Sequence, residues 1–145
     1  MFDKMLRLSR PRKRKGKIEW VEAPDIKKRI NHLLRAVRID WVNPYNIITF
    51  RSTNANTRAI ARIWGLGKIW QQALKLEPHY VVEVISEKYD KLPEFEQDKV
   101  LLHEITHIPK NFSGSLVPHI RRGKRNFHDQ VHELVDQYLR SKRNS

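Results

Sequence analysis

The chain of 145 residues contains no cysteine, which excludes disulfide frameworks, cysteine-ligated zinc ribbons and cysteine nucleophiles. That absence permits a reducing compartment, and the expected location is cytoplasmic. Long apolar runs are missing too: nothing approaches the ~18 residues of a membrane span, and the N-terminus lacks a signal-peptide core. No internal repeat is visible. Acidic residues are scarce, 16 Asp+Glu against 29 Lys+Arg, so the formal charge is +13. What is present is enough to fold. Hydrophobic residues make up 39% and aromatics 9%, which rules out a wholly disordered chain. The length suits one domain of ~100–150 residues, whose core needs neither disulfide nor structural metal merely to form.

The charge is unevenly placed. Arg10, Arg12, Lys13, Arg14, Lys15 and Lys17 crowd together, broken only by Pro11 and Gly16. Such a block repels itself and has nothing to bury, so residues 1–20 read as a flexible basic arm and residues 21–145 as the folded domain. Phosphate contact with DNA or RNA is the functional reading, although no base-reading motif accompanies the run. A second basic cluster, Arg121, Arg122, Lys124 and Arg125, lies near the other end.

Periodicity supplies the coarse architecture. Ile26, Ile30, Leu33, Leu34 and Val37 mark one apolar face of a helix over Pro24–Arg38. Strands are expected at Ile47–Ser52, Arg58–Trp64, Lys68–Leu74 and Tyr80–Ser86, the middle two joined by a tight turn at Gly65-Leu66-Gly67. Trp64, Trp70 and Tyr80 then read as core or sheet-face aromatics. A second helix is expected from Pro93, in the first helical position, to His107, with Pro109 ending it. Its apolar surface comprises Phe95, Val100, Leu101, Leu102 and Ile105. A last helix carries Phe127, Val131, Leu134, Val135 and Tyr138 on its apolar side. The fold class is α+β: an N-terminal helix, a small β-meander, then two helices.

The second helix bears His103-Glu104-Ile105-Thr106-His107. Positions i and i+4 of a helix lie one above the other, ~5–6 Å apart at Cβ. Two imidazoles so placed can share one Zn²⁺ at ~2.0–2.1 Å. Glu104, beside the first histidine, can take a proton from a water whose pKa zinc lowers to ~7. Catalytic zinc sites commonly have three protein ligands and one open position. The third must come from beyond Pro109, where His119, His128, His132, Glu133 and Asp136 are candidates. His119 lies in a loop that Gly114 and Pro118 allow to fold back; His128 opens the last helix, and a helix holds a ligand better than a loop does.

The stretch from Ala61-Arg62-Ile63-Trp64 through Pro78–Glu87 to His103–Gly114 and Pro118-His119 resembles the phage and archaeal metallopeptidase family. That family is similar to the compact zincin-like proteases, including the SprT-like group. The match runs over roughly residues 58–140, and His-Ile-Pro-Lys-x-Phe-Ser-Gly with the later Pro-His makes it specific. The resemblance implies a zincin-like domain whose edge strand lies beside the cleft. It further implies zinc on His103 and His107, Glu104 as the catalytic residue, and His119 favoured over His128 as third ligand. Under it, Tyr80–Ser86 is expected to align a peptide or protein substrate by strand addition. Tyr138, His128 or His132 could add a donor to the oxyanion. Two functions follow: a zinc-dependent peptidase, extended by the basic arm to proteins on nucleic acid, or a nucleic-acid-binding protein whose zinc site has no turnover.

Overall fold

A computed structural model describes residues 16–119 and 127–144. Arg10, Arg12, Lys13, Arg14 and Lys15, expected to contact nucleic acid, lie outside the described residues, as does the Arg121–Arg125 cluster; Lys17 is exposed. The elements run β1 (Glu19–Glu22), α1 (Pro24–Ala36), a 3-10 turn (Pro44–Asn46), β2 (Ile47–Thr53) and β3 (Ala61–Gly65). They continue with α2 (Lys68–Leu74), β4 (Tyr80–Ile85), α3 (Ser86–Tyr89), α4 (Glu94–Thr106) and α5 (Phe127–Arg143). The fold is α+β, as expected.

The sheet is not a meander. Its order is β1-β2-β4-β3, with β2 and β4 parallel and both outer pairs antiparallel. β4, apolar on both faces but for Glu83, takes the centre beside β2, and β3 with α2 forms the crossover that a parallel pair requires. Lys68–Leu74, expected as a strand, is helical. Gln71-Gln72-Ala73-Leu74 are good helix formers, Gly67 caps the start, and Lys75 closes the end in the left-handed region at φ 54°. Trp70 is therefore an exposed helix residue and not a core aromatic. Glu19 and Trp20, counted with the arm in the sequence, pair with Thr53 and Ser52.

Alternation along the strands sends Ile47, Thr49, Ala61, Tyr80, Val82 and Val84 to one face. That face packs with α1 and α4 through Ile26, Ile30, Leu33, Leu101, Leu102 and Ile105, all buried. Burying a side chain of this size contributes about 1.5–3 kcal/mol. The helices are joined by one buried polar cluster. Asp98 of α4, fully buried, accepts from Arg29 Nε of α1 at 2.6 Å and from the Tyr138 hydroxyl of α5 at 2.7 Å. Tyr138 is thus committed to the core and cannot serve an oxyanion.

On the opposite face a second buried carboxylate, Glu83, is fully satisfied. Arg62 donates to both its oxygens at 3.0 and 2.8 Å, and the Trp64 and Trp20 indoles donate at 2.9 and 3.3 Å. Burial alone would raise this carboxyl; the hydrogen bonds and charge of Arg62, with Trp64, outweigh it and hold the pKa at about 2.

The two buried carboxylates set the expected response of stability to mutation and to acid. Asp98→Ala takes from Arg29 its buried partner, leaving it the exposed Glu94 at 2.7 Å, and strips the Tyr138 hydroxyl of its acceptor; it is expected to destabilise by about 2 kcal/mol, and Tyr138→Phe by about 1 kcal/mol, in urea unfolding. For Glu83 the folded pKa lies below the ordinary 4.5, so the unfolded chain protonates first as pH falls. Its contribution is present above about 4.5 and is lost as pH falls toward about 2. Glu83→Gln, which cannot titrate, is expected to show a shallower loss of melting temperature across that window.

Candidate metal centre

Helix α4 begins after Pro93, which sits at the N-cap, one residue before the position expected for it. Glu94 and Glu96 occupy the first turn, where the helix dipole favours acids. The helix ends at Thr106, so His107 is its C-cap, still at φ −70° and ψ −13°. The i, i+4 relation to His103 therefore survives, with ring centroids 5.2 Å apart. Glu104, between them in sequence, is buried at 7% exposure. Burial pushes its carboxyl up to about 8.

The chain then turns back, and side chains fix its path. Tyr80, fully buried at the start of β4, accepts from Gly114 N at 2.8 Å and donates to Ser115 O at 2.7 Å. Its ring meets Phe112 edge-on at 5.0 Å. Gln71 donates to Ser113 O at 2.8 Å. Gly114, at φ +94°, lies so close to Leu66 O that an added Cβ would sit 2.2 Å from it. A Cβ on Gly65 would meet Gly114 O at 2.1 Å. The Gly65-Leu66-Gly67 turn is thus a seat for the loop as well as the entry to α2.

Val117 closes the loop onto α4. Its N–H donates to His107 O at 2.7 Å, and its carbonyl accepts from His107 Nδ1 at 2.6 Å. A carbonyl can only accept, so Nδ1 carries the proton and Nε2 keeps its lone pair. His119, two residues on, then reaches the others: its Nε2 is 3.2 Å from His103 Nε2. Ligand atoms of His103, His107 and His119 all lie within 4.8 Å of one another. Two ligands of one tetrahedral zinc at ~2.0–2.1 Å stand about 3.3 Å apart, so the donor set fits such an ion. Burial, then the neighbouring charges of His107, His119 and His128, lowers His103 to about 4. His107 is lowered by burial too, against the pull of Val117. Both are neutral near pH 7, the state a metal ligand needs.

Phe127, at the start of α5 and fully buried, walls the cluster. Its ring stacks on His107 at 4.3 Å and meets His103 and His119 at 4.9 Å. In the sequence it read only as part of an apolar helix face; the pattern carried no signal for this second role. His128 lies one ring further out, 6.3 Å from His119 between centroids. His132, Glu133 and Asp136 are exposed on α5 and do not belong to the three-histidine group.

The site and fold define an α+β domain with three histidines that could hold a metal ion. Residues 18–138 match the family described as "Putative phage metallopeptidase". The chain belongs to that family. No curated protein and no solved structure matches it. Among the described residues no helix is long and apolar enough to cross a membrane.

His119→Ala is expected to weaken metal binding by orders of magnitude, while His128→Ala retains about one ion per chain. Metal analysis after dialysis against a weak chelator distinguishes the two, and loss of metal in His128→Ala alone would move the third ligand to α5.

Proposed function

We propose that the protein is a zinc-dependent peptidase in which His103, His107 and His119 hold the ion and Glu104 is the catalytic base. The observation that carries this reading is the meeting of three imidazoles within 4.8 Å on and beside the helix that presents Glu104. A zinc ion bound there supplies Lewis acidity, which acidifies water and polarises a peptide carbonyl. The charge of a bound ion would favour the carboxylate against the burial that raises it, and Glu104 so ionised takes the proton of the attacking water and returns it to the departing amine. A purely structural zinc site has no use for a base beside its first ligand. Phe127 and the buried flank of α4 keep bulk water from one side of the histidines, which strengthens electrostatic interactions there.

Strand addition, assigned in the sequence to Tyr80–Ser86, moves to another strand. β4 is paired on both sides, to β2 and to β3, and has no free edge. β3 is the outer strand on that side and packs against α4. In this reading an extended substrate lies along β3, with its scissile bond toward the histidines.

Glu104→Gln tests the mechanism. The amide keeps the volume and can hydrogen-bond water but cannot accept its proton. The variant is expected to bind zinc as the parent does and to lose hydrolysis of an unstructured protein substrate by at least about a hundredfold. Hydrolysis at the parental rate would remove Glu104 from the reaction.

A further inference from the structure

The face of the sheet turned away from the helices is built unlike an ordinary solvent face. Register places Trp20, Ile48, Phe50, Arg62, Trp64 and Glu83 together on it. Trp20 and Trp64 remain 54% and 51% exposed, yet neither is loose. Each indole N–H is spent on the Glu83 carboxylate, one from each flank of β4. Arg62, held by both oxygens of the same carboxylate, places its guanidinium 5.2 Å from the Trp64 ring centre. One buried acid thus fixes two large rings and a cation. Because their N–H groups are already bonded inward, the rings offer a partner aromatic surface and no donor. A flat, sequence-tolerant stacking partner suits that chemistry.

The charge beside this face selects which flat partner. β1 runs antiparallel to β2 with Glu19 opposite Thr53, so Lys17, the last cation of the basic run, stands at the end where β2 finishes. Lys17 lies there, its carbonyl accepting from Asn54, and Arg58 is exposed in the segment that leads to β3. Glu22, on the same face two residues past Trp20, repels phosphate and leaves the path to the Lys17 end. Residues 1–17 carry eight Lys+Arg and one acid, a net 8 − 1 = +7 of the chain's +13. Dense positive charge and exposed rings together describe one ligand.

We propose that the open sheet face binds single-stranded nucleic acid, its bases stacking on Trp20 and Trp64 and its phosphates meeting the basic N-terminal run. A duplex offers no free base face inside its stack, so the rings favour single strands. The site is separate from the histidine cluster, and its binding does not depend on metal or on Glu104.

The test is fluorescence anisotropy of a labelled oligothymidylate of about 15 nucleotides, titrated with the full chain over a range of salt. A duplex of equal length is run beside it. Trp20→Ala and Trp64→Ala are each expected to weaken binding of the single strand about tenfold. The log–log salt slope stays as in the parent, because the same phosphates are neutralised. Deletion of residues 1–17 lowers the single-strand slope by about 0.7 unit for every phosphate the run neutralises in the parent. Trp64→Phe, which keeps a ring, stays within about threefold of the parent. Should an alanine variant unfold, Trp64→Leu against Trp64→Phe makes the same comparison, apolar bulk without and with a ring. Glu104→Gln binds the oligonucleotide as the parent does, so failure of the peptidase reading and failure of this one are told apart. Three results would overturn the proposal: tryptophan variants that bind like the parent, a duplex bound as tightly as the single strand, or variants that lose only self-association in sedimentation. The last would make the face a contact between copies of the chain.

Discussion

The histidine cluster depends on a main-chain closure: Val117 bonded through both its N–H and its carbonyl to His107. One bond satisfies the carbonyl that the end of α4 leaves without a partner. The other fixes the tautomer of a ring on the same residue. A single residue thus terminates the helix, orients one imidazole and delivers the loop that carries another. Tyr80 acts upstream on the same loop, and because it is fully buried at the first position of β4, it transmits the position of the sheet to residues 113–115. The three imidazoles are therefore referenced to both layers of the fold.

The helix layer is held by a different kind of contact. Asp98 gathers Arg29 and Tyr138 from two other helices, so α5 is fixed by a hydrogen-bonded core residue and not by apolar packing alone. This matters to the site because Phe127 begins α5. The same helix bears the wall of the cluster at one end and the Asp98 partner about three turns later.

Much of this was legible in the sequence, and the rest was not for physical reasons. Ile26, Ile30, Leu33, Leu34 and Val37 lie in the core where the helical period put them. The spacing of His103 and His107 on α4 brought their rings together, and His119 joins them. Strand order was out of reach, because short-range patterns describe each strand and say nothing of which neighbour it chooses. Thus β4, the most evident strand, became central, and the edge passed to β3. β1 escaped notice because all four of its residues are exposed and backbone pairing to β2 defines it. Lys68–Leu74 misled through Ile69 and Trp70, β-favouring residues that α2 leaves largely open. Phe127 was visible as a core residue, but its contact with three rings arises from a loop closure that no local period encodes.

The two glycines in near contact, Gly65 and Gly114, carry a consequence for alignment. One ends the edge strand and the other lies in the loop before His119, and their backbones touch with no room for a side chain between them. The strand end and the loop consequently share a common datum. A chain laid along β3 would have its position counted from the histidine loop by main-chain contact, in fixed increments of the strand repeat. Choice among bonds of a substrate would then be a matter of counting residues from that datum before any side chain is read.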